Sequence, residues 1–191
     1  GSVEMKHCGT ILLETDRLTL RRFTIEDAQA VYQNWAGDPQ VTRYLIWSAH
    51  TSPEQTRRMV ERWVRQYRRS DFYEWGMVEK ASGALIGSIG LAPVPGSRAS
   101  AEAGYSLGRA WWNHGYATEA LRAVLDLAVK RIGYKRIIAK HAIANPASGR
   151  VMQKAGMSLR VGEVVSVPTE NGVYDCYLYE YRQPSRRHFF W

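Results

Sequence analysis

Trp111-Trp112-Asn113-His114-Gly115-Tyr116-Ala117-Thr118-Glu119-Ala120 is the stretch that decides how this chain is read. It follows a strand-like run, Glu102 to Leu107, and enters a segment whose apolar residues at 117, 120, 121, 124, 125, 128 and 132 recur at helical spacing. A strand, a glycine-containing turn and a helix N-terminus together make an anion site. The N–H groups of a first helical turn lack intrahelical partners, the dipole favours negative charge there, and glycine lets a ligand approach the backbone. The stretch has neither the Gly-Lys-Ser/Thr ending of a Walker loop nor the three glycines of a dinucleotide turn. Taken alone, Gly115 is explained equally well by a tight turn.

Upstream, Leu18 and Leu20 alternate as in a strand, and Thr24-Ile25-Glu26-Asp27 is a capping box that opens a helix running to Gly37-Asp38-Pro39. Ser52-Pro53-Glu54-Gln55 starts a second helix, with Met59, Val60, Trp63, Val64 and Tyr67 as its stripe. Its six arginines lie mostly off that stripe, as on a solvated face. Residues 73 to 79 and 84 to 91 read as a hairpin, and Pro93 to Ser100 as a turn-rich connection. Downstream, a strand at Arg136 to Ala144 precedes a short helix from Asn145-Pro146 to Gly156. A hairpin, Leu159 to Val167 and Val173 to Arg182, closes around Asn171-Gly172. With one β-α-β crossover at 102 to 144, the fold class is α/β or α+β with a mixed sheet.

The chain has 191 residues, 45% hydrophobic and 23% charged, enough for one substantial core. We expect a single domain over 1–191, with a tail from about 183. Residues 1–4 are set aside, because Gly1-Ser2 has the look of a protease-cleavage remnant and Met5 of a native start. No apolar run approaches the ~20 residues of a membrane span and no signal pattern opens the chain, so no membrane partner and a cytoplasmic location are expected. Cys8 and Cys176 are too few and too distant for a disulfide scaffold, and the five histidines form no ligand pattern, so no metal is expected. The net charge of +8 is concentrated. Between 127 and 162 there is no Asp or Glu, while Lys130, Arg131, Lys135, Arg136, Lys140, Arg150, Lys154 and Arg160 are basic. This is either a solvated face or a field for an anionic ligand.

Three segments occur in order: Glu102-Ala103-Gly104-Tyr105-Ser106-Leu107, the turn through Ala120, and Asn145-Pro146-Ala147-Ser148 with Lys154-Ala155-Gly156-Met157. This set resembles the GNAT superfamily of acetyl-CoA-dependent N-acetyltransferases, specifically its ribosomal-protein N-terminal acetyltransferase branch, from Leu13-Glu14-Thr15-Asp16-Arg17-Leu18 to the last hairpin. The resemblance implies a twisted mixed sheet of about seven strands flanked by about four helices. It places the superfamily's Gln/Arg-x-x-Gly-x-Gly/Ala turn on Trp112 to Ala117. Gly115 and Ala117 match, and Trp112 departs from Gln/Arg but still has a backbone N–H. The N–H groups of Trp112, Asn113, His114, Gly115, Tyr116, Ala117 and Thr118 would then hold the pyrophosphate of acetyl-CoA. The strand at Tyr105, Ser106 and Leu107 would splay from its neighbour and pair with the pantetheine arm as an added strand does.

Amine acetylation needs a neutral amine, an oxyanion donor and a proton for the departing thiolate. Glu102 stands where the superfamily often carries its base, with Glu74 and His141 as substitutes; its other reading is an exposed strand carboxylate. In the resembled branch Asn145 binds the pantetheine and Ser148 protonates the thiolate; the alternative for Asn145 is helix capping alone. The tyrosine that many members carry four residues beyond that serine is Met152 here. Gly149 inside the helix would be explained by close approach of the cofactor. Tyr44, Trp47 and Tyr174 would line the acceptor pocket, or belong to the core.

The first-choice acceptor is a protein or peptide N-terminus, a ribosomal protein included, and the second a small amine such as a polyamine or an antibiotic. An α-amine with a pKa of ~7.7 to 8.0 is partly neutral at pH 7, whereas a lysine amine at ~10.4 is neutral about once in 2,500 molecules, so a weak base suffices for the first. A basic nucleic-acid-binding module is the competing class, and no stacking motif or recognition helix supports it. A homodimer stays open.

Overall fold

The computed structural model describes residues 4–184. Its eight strands are β1 (Leu13–Glu14), β2 (Leu18–Arg21), β3 (Tyr73–Glu79), β4 (Leu85–Val94), β5 (Ser97–Leu107), β6 (Arg136–Ala142), β7 (Ser158–Thr169) and β8 (Gly172–Arg182). They form one sheet in the order β1-β2-β3-β4-β5-β6-β8-β7. Every neighbouring pair is antiparallel except β5 with β6. The α-helices are α1 (Ala28–Val31), α2 (Pro39–Thr42), α3 (Pro53–Gln66), α4 (Tyr116–Asp126) and α5 (Pro146–Lys154). The expected mixed sheet is present, with eight strands instead of about seven because two-residue β1 adds a rung outside β2.

Alternation along the strands sends the core to both faces of the sheet. On one face Leu18, Leu20, Trp75, Met77, Ile89 and Ala101 pack with Leu121, Val124, Leu125 and Ile132. On the other, Phe23, Val31, Trp35, Met59, Val60 and Leu85 form a second cluster. All seven apolar stripe positions from 117 to 132 are buried, although the helix widens to a π turn over Leu127–Ile132.

Two stretches read as breaks are structured. Asp38 does not merely stop a helix: its side chain accepts from the Gln40 N–H at 3.0 Å and starts α2 with Pro39 at the first position. Pro93 to Ser100 is mostly strand, and the turn shrinks to Pro95-Gly96, where Gly96 has φ +81°. The expected capping box is formed, with the Thr24 N–H donating to the Asp27 carboxylate at 2.7 Å.

The basic stretch is not one free field. Lys130 pairs with Asp126, Arg136 with Glu180, Lys140 with Glu102, and Arg160 with Glu163. Glu180, on β8, gathers Arg136, Arg160 and Arg182. Burial opposes its ionisation, but hydrogen bonds from Arg136 and Arg182 outweigh that and hold the carboxyl at about 2. A carboxylate held below its unfolded value stabilises the fold above that value and loses the contribution as pH falls toward the folded one. Unfolding measured between about pH 4.5 and 2 therefore loses stability more steeply in the wild type than in Glu180→Gln; equal slopes would contradict the assignment.

Candidate active site

The site begins where β5 and β6 part. Their parallel pairing covers only Ser100↔Arg136, Ala101↔Ile137 and Glu102↔Ile138. Beyond Glu102, β5 stays paired with β4 as far as Leu107, while β6 stays paired with β8 as far as Ala142. Residues 103–107 and 139–142 therefore face a gap with no strand in it, one edge of which can accept an extended chain by strand addition.

The turn after β5 leads to the mouth of this gap. Gly115 is left-handed at φ +79° and caps α4, and Asn113 is left-handed at φ 64°. The first bond into α4 runs from the Glu119 N–H to the Gly115 carbonyl at 3.1 Å, which leaves the N–H groups of Tyr116, Ala117 and Thr118 without intrahelical partners. Trp112, whose backbone N–H was the expected contributor, spends it on the Arg109 carbonyl at 3.2 Å, and its indole turns back to donate to the Leu107 carbonyl at 2.8 Å.

Arg17, just before β2, clamps the turn from outside. Its guanidinium donates to the His114 carbonyl at 2.8 Å and to Glu119 at 2.8 Å, and lies over the Tyr116 ring at 4.4 Å. Glu119 also accepts from Thr15 Oγ1 at 2.6 Å and from the Arg17 N–H at 2.8 Å. Burial opposes ionisation of Glu119, and these donors bring its carboxyl below the usual range. A cleft of about 670 Å³ lies beside the turn, lined by Arg17, Gly115, Thr118, Arg122 and Lys154 among others.

α5 closes the far side of the gap. Asn145 occupies its N-cap position, but its side chain makes no capping hydrogen bond, so capping does not account for this residue. Ser148 Oγ lies 2.9 Å from Tyr105 Oη, and the Ser148 carbonyl accepts from the same phenol at 3.0 Å. Burial pushes the Tyr105 phenol up to about 12. Gly149 has a different cause from the one expected: a Cβ there would collide with the His141 imidazole. His141 is itself buried beneath α5, with Nδ1 donating to the Ala142 carbonyl at 2.8 Å and its Nε2 side packed against Gly149.

On the sheet face that carries Glu102 and Gly104 lies a cavity of about 1410 Å³. Glu102 and Trp47 line it, together with Glu74, Trp63, Gln66, Gly90, Gly104 and Ser106. Glu102, at the last β5–β6 rung, is held by Lys140 at 3.3 Å. Tyr44 and Tyr174 do not line the cavity; their rings meet edge to face at 5.2 Å, and Tyr174 donates to the Arg43 carbonyl at 2.8 Å. The hairpin tip does more than turn: the Asn171 amide donates to the carbonyls of Thr42, Leu45 and Trp47, and Glu170 accepts from the Ser48 N–H. The Asn-Gly dipeptide announces only the turn, because these partners lie more than 120 residues away. Among the described residues no group of His, Cys, Asp or Glu is arranged to hold a metal, and no helix is long and apolar enough to cross a membrane.

The profile of the acetyltransferase (GNAT) domain matches residues 17–158, from the arginine clamp to the start of β7. The chain belongs to the GNAT acetyltransferase family. An uncharacterized N-acetyltransferase of Bacillus subtilis (strain 168), YoaA, is 32% identical over 174 residues, covering 91% of this chain and 97% of its own. A GNAT-family acetyltransferase from Bacillus anthracis superposes with TM-score 0.78 at 26% identity, covering 91% of this chain and 99% of that one. The ribosomal-protein-S5-alanine acetyltransferase from Vibrio fischeri, at 16% identity, shares the fold with TM-score 0.78 over 93% of this chain and all of its own.

GNAT enzymes use acetyl-CoA, and this chain's residues fit it. Three unspent N–H groups suit the pyrophosphate, the unpaired β5 edge suits the amide-bearing pantetheine, and the Asn145 amide is available beside the gap. The left-handed turn makes Gly115→Ala strained by about 1 to 2 kcal/mol. Gly162, at φ +82° with open space around it, carries the same strain on β7, the outermost strand at the other end of the sheet. Calorimetry with coenzyme A should show weaker binding for Gly115→Ala and wild-type binding for Gly162→Ala; equal effects would detach the turn from the ligand.

Proposed function

We propose that the protein transfers the acetyl group of acetyl-CoA to a primary amine, with the α-amine of a protein or peptide as acceptor, Glu102 as base and Ser148 as acid. The observation that carries this is the gap that opens immediately beyond Glu102 with the Tyr105–Ser148 pair at its edge. When bound, acetyl-CoA supplies the acetyl group and departs as a thiol.

Glu102 stands at the apex of the gap and faces the cavity, so an amine arriving over Gly104 meets it directly or through one water and gives up a proton. Lys140 pins the carboxylate there. An α-amine is already partly neutral at pH 7, and the demand on this base is modest. On the other side of the reacting carbon, the Tyr105 phenol stays protonated at neutral pH and shares a hydrogen bond with Ser148 Oγ. Tyr105 donates to the Ser148 carbonyl, so its oxygen is free to hold the Ser148 hydroxyl; Ser148 can turn that proton to the leaving sulfur, and solvent restores it while Glu102 gives up the amine's proton. The side chain of Met152 is buried and has no proton to give. The N-terminal acceptor rests on the branch that the sequence resembles, and the likeness to a ribosomal-protein acetyltransferase accords with it.

Glu102→Gln should lower turnover by about 100-fold with coenzyme A binding retained, and it should alter the acidic limb of the rate profile. Wild-type turnover would reduce Glu102 to a strand carboxylate. Ser148→Ala and Tyr105→Phe should each slow turnover, and the double variant should be no slower than Ser148→Ala alone, because Tyr105 acts by positioning the Ser148 hydroxyl. Additive losses in thiol-release assays would separate them. Protein N-terminal peptides in the same assay test the acceptor; their failure beside good small-amine turnover would replace it.

A further inference from the structure

The acceptor cavity holds a second carboxylate that the reaction above leaves unused. Glu74 on β3 is in register with Gly90 on β4, and Gly90 with Gly104 on β5. Residues in register across a sheet share a face, so the three form one lane running from β3 to the edge of the gap. Two glycines keep that lane bare. A Cβ at Gly90 would overlap the Glu74 carboxylate, which shows that the side chain lies across β4 toward β5, whereas the space over Gly104 is open. Among the described residues the Glu74 carboxylate has neither a hydrogen-bond donor nor an ion-pair partner, and its oxygens are not sealed off but face the cavity. Arg69, the nearest cation in the cavity wall by sequence, is engaged with Asp71 at 3.0 Å. Trp47 and Trp63 add aromatic surface to the same cavity.

A carboxylate surrounded by protein and given no donor is unfavourable in its ionised form, and a cationic ligand relieves that. Burial pushes its carboxyl up to about 8. Distance separates its task from that of Glu102. Strands lie about 4.8 Å apart, so a group over β4 is roughly two spacings, ~10 Å, from a chain laid in the gap beyond β5. That is too far to take a proton from an amine attacking there, and it suits a charge carried on the other end of the acceptor.

We infer that Glu74 binds a second, non-reacting ammonium of the acceptor, held over the Gly90–Gly104 lane while the first amine reacts at the gap. This rests on the acetyl-transfer reading and narrows it to dicationic acceptors. The same chemistry is offered by a free diamine and by a peptide N-terminus followed by lysine. In both the charged groups are separated by a short flexible chain.

The experiment compares wild type with Glu74→Gln, which keeps the shape and removes the charge, and with Glu74→Asp, which keeps the charge. The acceptors are diaminopentane against pentylamine, and the dipeptide amide Ala-Lys against Ala-norleucine. In the wild type the dication of at least one pair should be favoured at least about tenfold in kcat/KM, mainly through KM, and the pair that shows it identifies the source. The ratio should fall to within about twofold in Glu74→Gln and remain clearly above that in Glu74→Asp. A wild type without preference, or a Glu74→Gln that retains it, overturns the inference. Calorimetry on coenzyme A-loaded protein separates the two readings. Coenzyme A that fails to bind the wild type removes the acetyltransferase reading itself, whereas bound coenzyme A with equal or no dication binding in wild type and Glu74→Gln removes Glu74 alone.

Discussion

Three rungs of parallel pairing, Ser100 to Glu102 against Arg136 to Ile138, are the constraint on which the rest of this structure depends. They join β1–β5 to β6–β8, and they are also where that join ends. Each strand is held beyond the join by its other neighbour, β5 by β4 and β6 by β8, so neither can swing across to close the gap. An open edge inside a sheet leaves backbone donors and acceptors without partners, and a ligand with amide groups can satisfy them. The same three rungs put Glu102 at the apex, which makes the fold and the placing of that carboxylate one consequence of register.

The periphery keeps that gap in shape. Arg17 ties the turn to the start of β2 through Glu119 and the His114 carbonyl, so the first turn of α4 is aimed by side chains instead of by the turn alone. On the opposite side Asn171, at the tip of the β7–β8 hairpin, holds three carbonyls of the 42–47 loop that carries Trp47 to the cavity. Both devices link segments more than ninety residues apart, one beside the Gly115 turn and one beside the cavity over Glu102 and Gly104. Each includes hydrogen bonds to backbone carbonyls, which fix position more tightly than apolar contact does.

What the sequence discloses follows from how local the cause is. The stripe of α4 is legible because a helix on a sheet buries every third or fourth residue, and the turn around Gly115 because a strand-to-helix junction has its own chemistry. Asp38 and Pro93–Ser100 mislead for the opposite reason: Asp-Pro can end a helix or begin one, and a proline near the end of a strand is accommodated by the irregular register between Pro93 and Val94. Gly149 is beyond local reasoning altogether, since its cause is an imidazole on β6. Tyr105 is a strand residue in sequence and a partner of Ser148 only once α5 is folded over it. Glu74, a substitute base in sequence, gains its open lane only when two glycines on neighbouring strands come into register with it. Tyr44 and Tyr174 meet edge to face from segments far apart in sequence, a contact that no local pattern announces.

The account stands on the ligand occupying two separate pieces of backbone at once, the β5 edge beyond Glu102 and the first turn of α4. Amide hydrogen exchange with and without coenzyme A tests this directly, because both segments have N–H groups that lack partners in the protein alone. The prediction is slower exchange in 103–107 and in 113–118 together, with β1–β3 unchanged. Protection confined to one segment, or appearing on the far strands instead, would contradict it.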